Sequence, residues 1–200
     1  GDRRSIDELK NKLLQMNDEI GFGLATGRSL ESAVEILKEI DFIMPDVIIP
    51  SVGSEIYYRN GVEYIYSTSW ETHIKNSWKP ELIKDLLFNS PNLELQVPEN
   101  QRDYKVSYNL VTDKTGADDI SALLRANKIK CNLIISHNKY VDILPYRASK
   151  GRAIRYLSYR WNIPLDSILV GGDSGNDEDM LTGELLGVVV GDHSKELDKL

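Results

Sequence analysis

The chain has 200 residues, 41% hydrophobic and 28% charged, a balance that suits a soluble globular protein with a substantial core. Its net charge of −7 excludes the broad basic face that a nucleic-acid partner requires, but not an anionic small molecule whose charge a metal and local cations offset. The lone cysteine, Cys131, excludes an internal disulfide framework; with no apolar run near roughly 20 residues and no signal peptide at the opening, a cytoplasmic, membrane-free protein is expected.

Residues 5–19 read as a helix, with Ser5 and Glu8 in a capping-box pattern and Ile6, Leu9, Leu13, Leu14 and Met16 as its apolar face. A short buried strand is predicted at 22–25, then the exit loop Thr26-Gly27-Arg28, and Ser29 caps a helix running to about 40. The apolar run 47–49 is a second strand, ending before Ser51-Val52-Gly53-Ser54-Glu55. Strand, loop, helix, strand is the signature of a parallel sheet with crossover helices.

The middle of the chain differs. Residues 56–66 alternate about Asn60-Gly61, a strong hairpin signal. Helices are expected at 79–88 and 117–127, a strand at 105–111, and a hairpin joining 133–136 to 140–144. This composition predicts an α+β unit over 71–145, inserted into an α/β core formed by 1–70 and 146–200. The core resumes with a helix at 150–161, a strand at 167–170, an exit loop from Gly171, a short helix at 178–181 and a strand at 186–190. Polar residues recur where strands end, and ligands of open α/β sheets bind at those ends.

Three segments carry chemistry. Gly172-Asp173-Ser174-Gly175-Asn176-Asp177 sets two carboxylates four apart after an apolar strand, so one oxygen can meet a divalent cation while the other acid supports it. Magnesium takes few protein carboxylates and fills its octahedron with substrate phosphate and water. The bland alternative is a surface turn, since these are turn-forming residues. In Leu24-Ala25-Thr26-Gly27-Arg28, a hydroxyl and free N–H groups at a helix start form a phosphate cradle, with Arg28 adding charge; an ordinary N-cap beside a surface arginine explains the segment as well. Ser149-Lys150-Gly151 opens a helix with a lysine able to neutralise charge between a carboxylate and a phosphoryl group, although a single lysine is usually solvated. His73 and His137 read as loop residues, and no zinc spacing is present. Trp70, Trp78, Trp161 and Cys131 read as packing residues.

The order Thr-Gly-Arg, insertion, Lys, Gly-Asp-x-x-Asn-Asp resembles the haloacid dehalogenase superfamily, in its capped, sugar-phosphate and Cof-like branch. More narrowly the chain resembles sucrose-phosphate phosphatases and the phosphatase-like C-terminal domain of bacterial sucrose-phosphate synthases. Val52-Gly53-Ser54-Glu55-Ile56-Tyr57, Lys105-Val106-Ser107-Tyr108, Val141-Asp142-Ile143-Leu144-Pro145 and Ala148-Ser149-Lys150-Gly151 carry that likeness with the two loops above. The resemblance implies a Rossmann-like core with an inserted α+β cap and magnesium-dependent hydrolysis of a sugar phosphate, with sucrose 6-phosphate the leading substrate. It implies that Thr26 and Gly27 bind the transferring phosphoryl group, that Lys150 bridges it to an aspartate nucleophile, and that Asp173 ligates magnesium. Asp177 would support the ion, and Asn176 would order the loop or touch Lys150. Glu55 and the cap residues Lys105, Tyr108 and Asp142 are candidates to choose the leaving sugar.

The sequence departs from that pattern at its start. The Asp-x-Asp strand of the family would precede Gly1, and Asp2 is a poor substitute, so the expectation is a chain lacking its first core strand and inactive as it stands. The competing expectations are a catalytically silent module joined to a glycosyltransferase, and a phosphatase for mannosylfructose phosphate, trehalose phosphate or a hexose phosphate.

Overall fold

The computed structural model describes residues 3–16, 19–111 and 116–198; Asp2 lies outside them. Helix α1 spans Arg3–Gln15, so Ser5 stands inside the helix instead of capping it, and the predicted 5–19 is shifted. Strand β1 (Gly23–Ala25) runs parallel to β2 (Val47–Ile49), with α2 (Leu30–Glu39) as the crossover. Ser29 caps α2 by accepting from the Ser32 amide at 3.2 Å, as its small hydroxyl predicts. The hairpin β3 (Tyr57–Asn60) and β4 (Glu63–Tyr66) turns on Gly61 at φ +63° and adds antiparallel to β2, completing a four-stranded sheet.

Helix α3 (Thr68–Ile74) was not legible in the alternation pattern. It places His73 on a helix, where its ring stacks on Trp70 with centroids 5.5 Å apart, correcting the loop expectation. Helix α4 (Pro80–Leu87), β5 (Leu93–Leu95), β6 (Val106–Leu110), α5 (Gly116–Ala126), β7 (Cys131–Ser136) and β8 (Tyr140–Pro145) then build a second, antiparallel sheet in the order β5-β6-β8-β7. The β7–β8 turn carries His137 and Asn138 at φ 55° and 49°.

The chain returns through α6 (Lys150–Trp161), β9 (Leu169–Gly172), α7 (Glu178–Leu181) and β10 (Leu186–Val189), with β9 and β10 parallel. Strand β9 begins two residues later than predicted, so Gly171 and Gly172 pair with Val188 and Val189 as strand, and the exit loop starts at Asp173.

Period-two alternation divides the antiparallel sheet between two cores. Val106, Tyr108, Val141 and Ile143 face Ile83 and Leu87 of α4 and Ile120 and Leu124 of α5. Leu144 and half-buried Ile134 point the other way and join Val47, Ile49, Ile56, Trp70, Ala153 and Leu157. The sheet is therefore the wall between an α/β core and an α+β cap, with side chains on both of its faces buried. No helix among the described residues is long and apolar enough to cross a membrane.

Candidate active site

The β1 exit loop, the Ser51–Gly53 turn, the start of α6 and the β9 exit loop meet at one sheet edge. The Thr26 amide donates to Ile49 O at 2.9 Å, and the Val52 amide donates to Thr26 O at 3.0 Å, continuing the parallel pairing beyond the strands. Thr26 Oγ1 accepts from the Arg28 amide at 3.2 Å, which curls the chain into α2. A Cβ on Gly27 would lie 3.8 Å from Asn176 Nδ2, so this loop and the aspartate loop are neighbours across about 150 residues of chain. Arg28 is exposed, and its guanidinium reaches Ser32 Oγ at 3.4 Å.

Gly53 has φ +92°, and a Cβ there would lie 2.5 Å from Lys150 N. Only glycine combines that backbone with so close an approach. The contact presses the turn onto the first residues of α6 and fixes where Lys150 leaves the backbone.

Lys150 is buried, and its Nζ donates to Asp177 Oδ1 at 2.7 Å and to Asn176 Oδ1. Asp177, also buried, turns its other oxygen to its own loop: Oδ2 accepts from the amides of Asp173 at 3.0 Å and Ser174 at 3.1 Å, and from Ser174 Oγ at 3.3 Å. A buried carboxylate bonded this fully organises the loop and compensates the lysine charge. Asp173 is exposed at the loop tip, and its backbone carbonyl accepts from the Ser194 amide at 2.7 Å. Thr26, Gly27, Lys150, Asp173, Asn176 and Asp177 are thus one constellation.

Magnesium fits this donor set in part. The oxygen chemistry is right, and the Asp173 side chain is open to solvent, whereas Asp177 is committed to hydrogen bonds on both oxygens. Among the described residues no three His, Cys, Asp or Glu side chains gather into a metal cage. Such an ion would draw its remaining ligands from the substrate, from water and from residues outside those described.

The leaving-group candidates separate. Lys105, Ser107 and Asp142 form a buried cluster on the core-facing side of the cap sheet. Lys105 Nζ reaches Ser107 Oγ at 2.6 Å and Asp142 Oδ1 at 3.4 Å, and Ser107 Oγ donates to Asp142 at 2.6 Å. Glu55 is half-buried, accepts from Ser51 Oγ at 3.2 Å and faces Arg102 Nε at 3.9 Å. Burial pushes its carboxyl above the usual glutamate range, opposed by the Arg102 charge and the Ser51 hydrogen bond. Tyr108 belongs to the opposite face of the cap sheet, sealed in the cap interior, where burial raises its phenol to about 12. Arg102 and Ser107 escaped the sequence reading. For Ser107 the signal was available, since it lies two residues from Lys105 on an alternating strand.

A model of the Sucrose-6F-phosphate phosphohydrolase family matches residues 1–200. Sucrose-phosphatase 1 of Nicotiana tabacum is 35% identical over 182 residues, which are 86% of this chain and 42% of that protein. Sucrose-phosphate synthase 4 of Arabidopsis thaliana is 31% identical, with 98% of this chain matched to 21% of its length. Mannosylfructose-phosphate phosphatase of Agrobacterium fabrum is 30% identical over 88% of this chain and 71% of that protein. The chain thus spans less than half the length of the plant phosphatases it resembles. Among solved structures, the sucrose-phosphatase from Synechocystis sp. PCC6803 in complex with sucrose and phosphate superposes with a TM-score of 0.92 at 31% identity, covering 98% of this chain and 80% of that one. A haloacid dehalogenase-like hydrolase from Bacillus subtilis, 21% identical, shares the fold with a TM-score of 0.67 over 99% of this chain and 77% of its own. Matched by the family model over all 200 residues and superposed over 98% of its length on a sucrose-phosphatase, the chain belongs to the Sucrose-6F-phosphate phosphohydrolase family.

Proposed function

We propose that the protein to which this chain belongs hydrolyses sucrose 6-phosphate to sucrose and phosphate with magnesium. The observation that carries the reading is the placement of Lys150, a buried cation held by Asn176 and Asp177 beside the Thr26-Gly27 loop. In this reading Thr26 Oγ1 and the Gly27 amide hold the phosphoryl oxygens, and Lys150 offsets charge between phosphate and nucleophile. Asp173 offers an oxygen to magnesium, while Asp177 keeps both the loop and the lysine in place. The ion supplies charge neutralisation on the phosphoryl group. The nucleophile is an aspartate outside the described residues. It attacks phosphorus to give an aspartyl-phosphate, and a second carboxyl protonates the departing sugar oxygen and then activates water. Glu55, Arg102 and the Lys105–Ser107–Asp142 cluster present hydroxyl-binding groups where the cap faces the core, with residues 71–145 as that cap.

Phosphate release by the full-length protein across a sugar-phosphate panel tests this. Sucrose 6-phosphate is expected to be the best substrate, chelation and Asp173→Asn to abolish turnover, and Lys150→Ala to lower kcat about 100- to 1,000-fold. Absence of release with every substrate overturns the reading. That outcome would favour a silent module that binds the sugar phosphate for a fused glycosyltransferase, for which the match of 98% of the chain to a sucrose-phosphate synthase speaks. Preferred hydrolysis of a mannosylfructose phosphate would follow the Agrobacterium relative instead.

A further inference from the structure

The residue before Lys150 is tied to the segment that carries its partners. Ser149 is fully buried, and its hydroxyl works in two directions. It accepts from the Arg152 amide at 3.0 Å as the N-cap of α6, and it donates to the carboxylate of Asp179. Asp179 lies in α7, two residues past Asp177, so this bond joins the chain just before the lysine to the chain just after its acceptors.

Two further contacts reinforce the same joint. Gly151 leaves room for the Asp179 backbone, whose carbonyl carbon would stand 2.5 Å from any Cβ at that position. Arg155, one turn along α6, donates through Nη2 to the Asp179 carbonyl at 2.9 Å and the Thr182 carbonyl at 2.7 Å. The direct Arg155–Asp179 ion pair is 3.5 Å long with side chains 31% and 41% exposed, so solvent screening leaves it little weight of its own. The hydroxyl–carboxylate bond and the guanidinium–carbonyl bonds hold the joint, because charged partners make the stronger hydrogen bonds.

We infer that Asp179 is a positioning residue: through Ser149 and Arg155 it locks α6 to α7 and thereby sets the Lys150 ammonium against Asn176 and Asp177. The functional consequence rests on Lys150 acting on phosphate as proposed above, but the geometry is testable without turnover. Limited acylation of the folded full-length protein by acetic anhydride, read by peptide mass spectrometry, compares Lys150 with Lys105, a second buried lysine, in the cap. Asp179→Ala is expected to raise labelling at Lys150 about tenfold and to leave Lys105 unchanged, the size of one lost hydrogen bond. Asp179→Asn keeps an oxygen for the Ser149 hydroxyl and should label like the parent protein.

Arg155→Ala should shift labelling in the same direction as Asp179→Ala, and it serves if that variant does not fold. In turnover, Asp179→Ala should lower kcat about tenfold with KM little changed, the pattern of an interaction expressed in the transition state. Equal labelling of both lysines, or no rise at Lys150 in either folded variant, overturns the inference. Selective labelling with unchanged kcat would uphold the joint and defeat the catalytic role of Lys150.

Discussion

Glu55 stands where burial and charge pull in opposite directions. Burial dominates and raises its carboxyl, with Arg102 at 3.9 Å only partly compensating. A raised acid means that the folded state holds a proton the unfolded state releases, so stability falls as pH climbs from the ordinary glutamate range through the raised value. Glu55→Gln is therefore expected to raise Tm at about pH 7 and to lose that advantage by about pH 4, where both states are protonated. Thermal unfolding of the two proteins at both pH values checks it; an equal gain at both would assign the effect to packing. The same scale explains why Lys105 and Tyr108 part company. Their spacing of three is odd, and odd spacings on a strand face opposite ways, so one meets the core and the other fills the cap.

At the scale of elements, glycines placed the site more sharply than the helices did. Gly53 shapes a turn and admits the first backbone atoms of α6, so Gly53→Ala meets both a forbidden φ and Lys150 N at 2.5 Å. A loss of roughly 1–3 kcal/mol is expected, read as a lower urea midpoint with an unchanged slope. If stability holds while kcat drops, the turn shifted α6 without strain. Helix α1 shows the converse. Its periodicity was plain, yet its apolar positions Leu9 and Leu14 are 50% and 54% exposed, because periodicity specifies a face and not a partner for it. Strand β9 took in Gly171 and Gly172 against their turn preference, since pairing with β10 outweighs local propensity.

For the whole molecule, the cap sheet joins the two hydrophobic cores. Adjacent residues Ile143 and Leu144 serve different clusters, the first in the cap and the second in the core. Ile143→Ala and Leu144→Ala should each cost roughly 2–5 kcal/mol, since both side chains are fully buried. Hydrogen exchange is expected to quicken in α4 and α5 for the first and in α3 and α6 for the second. Identical exchange patterns would mean that core and cap open as one unit.

The sequence by itself determined the parallel crossover β1–α2–β2, the two hairpins, the helix opening at Lys150 and the presence of a loop after β9, because each depends on local periodicity, capping and turn chemistry. Loop identity also singled out Thr26, Lys150, Asp173 and Asn176 as candidates, whose segments the structure brings together. Tertiary structure decided which oxygen of Asp177 faces the lysine, that Arg102 meets Glu55 across core and cap, that Tyr108 is sealed inside, and that Ser149 binds Asp179. Those facts depend on contacts between segments dozens of residues apart, where packing against a partner, and not the local chain, selects the side-chain direction.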